Sequence, residues 1–165
     1  MKRITDITNT KGIKLDNVKV PFQVKLLQYN INNILYKYNN KYCFPQYITK
    51  LKEEIINVIK ESNLKDDKDA QELITKTREL YIALNDIPMA NINEITIAVD
   101  NTLKYLLYSF NKDKTTITLE EEIKLLKELK LIKEVIEQNN IQPSERIKNT
   151  YKLMEQLKQS ILNKL

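Results

Sequence analysis

Glycine and proline are scarce in this chain, and that scarcity limits the folds it can adopt more than any other feature. The 165 residues include one glycine and four prolines. All-β folds need many tight turns, and tight turns rely on these two residue types. The shortage therefore favours long helices joined by short polar links, and it predicts an all-α fold.

The clearest helix covers residues 91–110. Its apolar residues recur at intervals of three and four, which is the spacing of one face of an α-helix; they are Ile92, Ile95, Val99, Leu103, Leu106 and Phe110. Asn91 is a suitable N-cap for this helix. We expect it to be an apolar element on which neighbouring helices pack, with Val99 and Leu103 in the core.

Five more helices follow from similar spacing, at about 21–42, 46–62, 67–87, 118–138 and 143–165. The first has residues at alternating intervals of four and three, with further apolar residues beside them; the regularly spaced set is Phe22, Leu26, Tyr29, Asn33, Tyr36 and Asn40. Asp66 or Asp67 suits the start of the third helix. Thr118 and Glu121 have the spacing of a capping box. The links are short, which predicts a bundle of about six antiparallel helices.

The predicted organisation is a basic N-terminal arm over residues 1–19 and a single helical domain over 20–165. The arm lacks helical periodicity, so a flexible segment and an extended strand on the bundle are both open. The last two helices, 118–138 and 143–165, also allow two interpretations. They form a protruding hairpin or a seam for a partner chain, including self-association, or they pack on the other four helices.

Positive charge is concentrated in the first third of the chain. Residues 1–60 carry eleven Lys/Arg and four Asp/Glu, a balance of +7, whereas the whole chain has a net charge of +5. A basic region of this kind suits nucleic acid or another acidic surface. The abundance of Lys, Ile, Asn and Tyr is also typical of an AT-rich genome, so composition alone offers a second explanation.

The most suggestive stretch is residues 36–52, where aromatic and basic residues alternate. Aromatic rings can stack on unpaired bases while lysines contact phosphates. The candidate nucleic-acid-binding residues are Lys37, Tyr38, Lys41, Tyr42, Tyr47, Lys50 and Lys52. The alternative interpretation is a corner between two helices, where the tyrosines bury their rings and expose their hydroxyls.

Several kinds of active site are excluded by composition. The chain has no histidine and one cysteine, Cys43, so Ser–His and Cys–His nucleophile pairs and ordinary zinc sites are ruled out. One glycine cannot build a phosphate-binding P-loop or a dinucleotide fingerprint. Helix carboxylates fit solvated faces better than a di-metal site. We therefore expect no catalytic residues, no metal and no cofactor.

Two functions remain from the sequence. The first is a small non-enzymatic accessory protein, of the phage, mobile-element or defence-system type, that binds nucleic acid or a nucleoprotein complex through its basic first third. The second is a protein–protein interaction module, such as an inhibitor, immunity factor, adaptor or scaffold subunit, that acts through its helical faces. No apolar run approaches the ~20 residues that span a bilayer, and the N-terminus lacks a secretory signal, so we expect a cytoplasmic protein without membrane contact.

Overall fold

Helices form the regular structure of the protein in a computed structural model that describes residues 1–8 and 12–165, apart from the side chain of Asp113. These residues contain seven α-helices: α1 Ile4–Thr8, α2 Phe22–Tyr38, α3 Pro45–Ser62, α4 Gln71–Asn85, α5 Ile92–Asp113, α6 Leu119–Gln138 and α7 Glu145–Lys164. A short 3-10 helix, Lys68–Ala70, leads into α4. The all-α prediction is confirmed, and no strand occurs in this described part of the chain. The antiparallel arrangement stays a prediction.

The six predicted helices correspond to α2–α7, and their caps are local features that the sequence identifies well. Asn91 accepts a hydrogen bond from the backbone N–H of Glu94 at 2.9 Å. Thr118 accepts one from the N–H of Glu121 at 3.2 Å, as the capping box predicts. Asp67 caps the 3-10 helix by accepting from the N–H of Asp69 at 2.8 Å. These bonds satisfy N–H groups that have no partner inside a helix.

The chain divides into two compact units, Met1–Met89 and Ala90–Leu165. In the first unit, α2 packs on α3, and α1 packs on α4. Its core is built from large side chains that are almost fully buried, among them Ile4, Leu27, Ile31, Leu35, Phe44, Tyr47, Leu51, Ile55 and Leu73. The prediction of one domain over residues 20–165 stays a prediction.

The N-terminal arm is held on the first unit by backbone hydrogen bonds. The N–H of Ile4 donates to the carbonyl of Lys41 at 2.9 Å, and the N–H of Cys43 donates to the carbonyl of Lys2 at 3.0 Å. Residues 4–8 form the helix α1, which the sequence did not predict because five residues are too few for periodicity. Residues 9–11, which include Lys11 of the basic arm, lie outside the described part of the chain.

The arm then crosses from α2 to α4. Asn32 of α2 accepts from the N–H of Ile13 at 2.6 Å, and its amide donates to the carbonyl of the same residue at 3.1 Å. Glu72 of α4 accepts from the backbone N–H groups of Asp16 and Asn17. Polar side chains on two helices therefore fix the path of a segment that has no secondary structure of its own.

The single glycine of the chain stands where this crossing begins. Gly12 has φ of +121°, a conformation that side-chain-bearing residues rarely adopt. A Cβ atom at this position would lie 2.8 Å from the hydroxyl oxygen of Tyr36 and 2.9 Å from Cγ of Asn32. The backbone conformation therefore favours glycine, and a Cβ would also force the side chains of Tyr36 and Asn32 to shift.

The second unit consists of α5, α6 and α7, each of which packs on the other two. Ala98, Val99, Leu103 and Leu106 of α5 are buried, as are Leu129 and Ile132 of α6. The prediction that Val99 and Leu103 lie in the core is therefore confirmed.

Two ion pairs join the helices of the second unit. Arg146 of α7 contacts the carboxylate of Asp100 on α5, and Lys164 of α7 contacts the buried carboxylate of Glu122 on α6. Within the described residues, no helix has the combined length and apolarity needed to cross a membrane.

Candidate binding surface

Two of the three candidate stacking tyrosines lie in the core of the first unit. Tyr38 is 5% exposed and Tyr47 is 2% exposed, and their ring centroids are 6.5 Å apart in an edge-on arrangement. Phe44 is buried with them and lies 5.9 Å from Tyr47, measured between ring centroids. The rings of Tyr38 and Tyr47 are covered by protein, so they offer no face to a nucleotide in this structure.

Tyr42, the third candidate, lies at the edge of the same aromatic cluster and is partly exposed. The guanidinium carbon of Arg3 lies 4.2 Å from the centroid of its ring, and Nη2 of Arg3 donates to its hydroxyl at 3.2 Å. The ring is thus covered on one side by the N-terminal arm, through a cation–π contact.

The four candidate lysines have different surroundings. Nζ of Lys37 lies 2.7 Å from Glu54, and Nζ of Lys41 lies 5.6 Å from the ring centroid of Tyr47. Lys52 donates to the side-chain oxygen of Asn85 on α4. Lys50 is exposed.

Lys50 and Lys52 cannot belong to one patch on α3. Two residues along an α-helix correspond to a rotation of about 200° around its axis, so these side chains leave opposite sides of the helix. The contact with Tyr81 on α4 supports this placement, since Nζ of Lys52 lies 6.0 Å from the centroid of that ring. The structure thus brings Lys37, Lys41, Tyr42 and Lys50 to the surface around α2 and α3, and it turns Lys52 towards α4.

A different surface of α2 is the most distinctive feature of the first unit. Four large apolar or aromatic side chains lie exposed along one side of the helix: Phe22 is 75% exposed, Leu26 46%, Tyr29 63% and Tyr36 52%. Asn33 is exposed in line with them. We call the set Phe22, Leu26, Tyr29, Asn33 and Tyr36 the α2 face.

The opposite side of α2 supplies the core contacts. Its buried residues are Val24, Leu27, Ile31, Leu35 and Tyr38. The helix is therefore apolar on two sides, and only one of them is covered by α3 and the rest of the unit. Soluble chains rarely expose a continuous apolar stripe, and such stripes commonly mark binding sites.

The spacing within the α2 face is that of a coiled-coil seam. The intervals from Phe22 to Tyr36 run four, three, four, three. Apolar residues at these intervals keep one narrow stripe in line along a helix and allow a second helix to pack on it. The spacing of this stripe is visible in the sequence. The sequence does not predict that the stripe faces solvent, because Leu27, Ile31 and Leu35 on the other side of α2 are also apolar.

The N-terminal arm forms one border of the α2 face. Ile13 is bound to Asn32 of α2, as described above, and its carbonyl also accepts from the side-chain amide of Gln28 at 3.0 Å. The hydroxyl of Tyr36 lies close to Gly12. The arm therefore lies along one edge of the α2 face, on the side where Gln28 and Asn32 leave the helix.

The charged residues in the sequence around the α2 face are all lysines. From residue 17 to residue 52 the sequence contains six lysines and no Asp or Glu; the lysines are Lys19, Lys25, Lys37, Lys41, Lys50 and Lys52. Lys25 and Lys37 are exposed on α2 itself. Acidic side chains from other segments also reach this region: Glu54 of α3 contacts Lys37, and Glu72 of α4 accepts from the backbone N–H of Asn17. Exposed apolar side chains beside the exposed lysines Lys25 and Lys37 therefore define the chemistry that a partner of the α2 face must match.

The other features of interest in the described chain are a buried thiol, the carboxylates and a second exposed apolar set. Burial raises the pKa of the Cys43 thiol to about 11, so this thiol is protonated and unreactive near neutral pH. No group of three or more Cys, Asp or Glu side chains among the described residues could hold a metal ion. A second exposed apolar set lies on α5, at Ile92, Ile97, Tyr105 and Tyr108, but its intervals of five, eight and three residues are not heptad spacing.

Comparison with known proteins gives no family for this chain. No family model, no curated protein and no solved structure matches it. The function must therefore be argued from the surfaces described above.

Proposed function

We propose that the chain is a non-enzymatic protein-interaction module and that the α2 face is its principal binding surface. The observation that supports this proposal is the exposure of Phe22, Leu26, Tyr29 and Tyr36 along one side of a helix whose other side is already packed. Aromatic residues are enriched in the centres of protein interfaces because their rings bury a large area at a small entropic cost. The absence of histidine from the sequence supports the non-enzymatic part of the proposal.

Affinity capture in the native host tests this proposal with two matched variants. Tyr29→Asp places a charge in the middle of the α2 face. Ile82→Asp places the same charge on an exposed apolar residue of α4, which is 62% exposed. We expect a partner that the wild type and Ile82→Asp retain and that Tyr29→Asp loses. Equal capture by all three proteins would assign the interaction to another surface.

Nucleic-acid binding is the second candidate function, and the six lysines without an acidic residue between positions 17 and 52 favour it. Of the residues proposed from the sequence, Lys37, Lys41 and Lys50 would contact phosphates and Tyr42 would contribute ring contact, whereas Tyr38 and Tyr47 would have to leave the core. Lysine contacts with phosphates release counterions, so such binding weakens steeply as salt rises.

A titration of the protein into labelled single- and double-stranded oligonucleotides, followed by fluorescence anisotropy, tests the second candidate. We expect Lys41→Gln with Lys50→Gln to lower the affinity and the slope of its salt dependence, whereas Lys152→Gln on α7 serves as the control. Absence of binding at low salt would remove nucleic acid from consideration.

A further inference from the structure

We infer that the α2 face binds an acidic amphipathic helix of a different protein, packed along α2 as in a two-stranded coiled coil. This inference rests on the proposed function, and it adds the chemistry of the partner. Three properties of the face support it: the length and spacing of the stripe, the asparagine within it, and the charge of its borders.

The stripe has the dimensions of a short helix–helix seam. Phe22 and Tyr36 are fourteen residues apart, which corresponds to about 21 Å along a helix axis. In heptad terms, Phe22, Tyr29 and Tyr36 occupy one core position, and Leu26 and Asn33 occupy the other. The exposed stripe thus spans two heptads of α2. A partner helix of roughly four to five turns would cover it.

Asn33 gives the seam a polar point between two tyrosines. It is exposed, and it stands at the core position that Leu26 occupies one heptad earlier. An asparagine at this kind of position fixes the register of a coiled coil, because its amide must find a polar partner once it is covered. We expect the bound helix to carry one polar residue opposite Asn33 and apolar residues at its other core positions.

The borders of the seam select the charge of the partner. The positions that flank a coiled-coil core are filled by polar and basic residues only, along α2 and at its C-cap: Gln23, Lys25, Asn30, Asn32, Lys37 and Asn39. Lys25 is exposed at one end, and the side chain of Lys37 remains 51% exposed beside Glu54 at the other end. Opposite charges at flanking positions set the choice of partner in coiled coils, so acidic residues fit here.

The same charges disfavour a second copy of this chain as the occupant. A pair of α2 helices would bring together two stretches that both lack acidic residues from position 17 to position 52. Each lysine at the seam would then face an uncharged or a basic residue, and like charges across an interface lower the affinity. A different protein with an acidic helix has no such penalty.

Selection from a helix library on the full-length protein tests the inference. The library is a three-heptad amphipathic helix with Leu or Ile at the core positions, one Asn at a core position, and Glu, Gln or Lys randomised at the flanking positions. The enriched helices that bind the wild type are then measured for binding to Tyr29→Asp. We expect the enriched helices to carry Glu at the flanking positions.

Exchanging the charges of Lys25 and of a glutamate in the bound helix then tests the ion pair between them. For an enriched acidic helix, we expect Lys25→Glu to weaken binding by about 10-fold and a Glu→Lys change in the helix to restore it. Lys152→Glu on α7 is the control and should leave the affinity unchanged. A Lys25→Glu variant that binds as tightly as the wild type would overturn the inference.

The possible results separate the inference from the proposed function. Enriched helices that require Tyr29 but carry Gln or Lys at the flanking positions would overturn the acidic partner and leave the α2 face as a binding surface. Acidic helices that bind Tyr29→Asp as well as the wild type would overturn both. Light scattering completes the test, since a dimer that Tyr29→Asp converts to a monomer would assign the face to a second copy and overturn the inference.

Discussion

Individual residues decide the path of the N-terminal arm, and Gly12 is the most constrained of them. Its positive φ disfavours a side chain, and a Cβ would force Tyr36 and Asn32 to shift. We expect Gly12→Ala to lower the free energy of unfolding by about 1–3 kcal/mol, because the new Cβ combines backbone strain with a steric clash. Urea denaturation followed by circular dichroism measures the change.

Lys14→Ala is the matched control for this substitution. Lys14 lies two residues further along the arm with an exposed side chain, and it uses its backbone carbonyl to accept from Lys76 at 2.7 Å. Its truncation should change the stability little. Equal effects of the two substitutions would mean that the clash at Gly12 is relieved by movement of the arm.

Glu72 makes the attachment of the arm dependent on pH. The backbone N–H of Asp16 holds the pKa of the Glu72 carboxyl below its ordinary value of 4.5, and Asn17 and Lys76 act in the same direction. Because the pKa in the folded state is lowered, the stabilisation is fully present above the pKa of the unfolded state and is lost as the pH falls through the pKa of the folded state.

We therefore expect Glu72→Gln to be less stable than the wild type at pH 7, with the difference disappearing at low pH. Urea midpoints between pH 7 and pH 3 measure this convergence. Glu79→Gln, an exposed position on the same helix, is the control and should follow the wild type at every pH. A constant gap between wild type and Glu72→Gln would show that the carboxylate charge does not hold the arm.

Cys43 should behave as a buried apolar residue. Its side chain is 6% exposed and burial raises its pKa to about 11, so few thiolates form and few reagents reach them. We expect almost no reaction with a disulfide reagent at pH 8 in the native protein and complete reaction in urea. Fast labelling of the native protein would mean that the arm over Cys43 opens readily.

At the scale of the elements, the long helices and their caps could be predicted because both depend on local sequence. The interval pattern located α2–α7, and the caps at Asn91 and Thr118 needed only residues within one turn. The orientation of α2 could not be predicted. Leu27 and Ile31 on one side and Leu26 and Tyr29 on the other are similarly apolar, and only contacts with α3 decide which pair is buried.

The candidate site was harder to predict for a related reason. Tyrosine suits both a core and a surface, so alternation with lysine in residues 36–52 could not distinguish buried Tyr38 and Tyr47 from partly exposed Tyr42. Lys50 and Lys52 are close in sequence but lie on opposite sides of α3. Closeness in the sequence therefore predicted one shared surface for more of these residues than the structure brings together.

The helix α5 provides the test of the second unit's core. Leu103 is fully buried, whereas Tyr105 on the same helix is 67% exposed. We expect Leu103→Asp to unfold this unit, because an unpaired carboxylate cannot be buried without losing several kcal/mol. Far-UV circular dichroism should show a loss of helix for Leu103→Asp and none for Tyr105→Asp. A folded Leu103→Asp protein would contradict this assignment of the core.

At the scale of the whole molecule, net charge and exposed apolar surface have opposite effects on association between copies of the chain. The net charge of +5 opposes association between copies of the chain, whereas the exposed apolar side chains of the α2 face favour it. Salt screens the repulsion but not the apolar attraction. We expect light scattering to show that copies attract one another more as salt rises, and Tyr29→Gln to reduce this trend relative to an Ile82→Gln control. A trend that is the same for both variants would exclude the α2 face as its source.

The exposure of the α2 face also affects the steady-state amount of the protein in a cell. An uncovered apolar stripe exposes a newly made chain to unwanted association and to the proteases and chaperones that remove such species. Under the proposed function, we expect the protein to accumulate in step with the partner that shields it, and an excess to be cleared. The five side chains of the α2 face would then also keep the amount of this protein in the cell close to the amount of its partner.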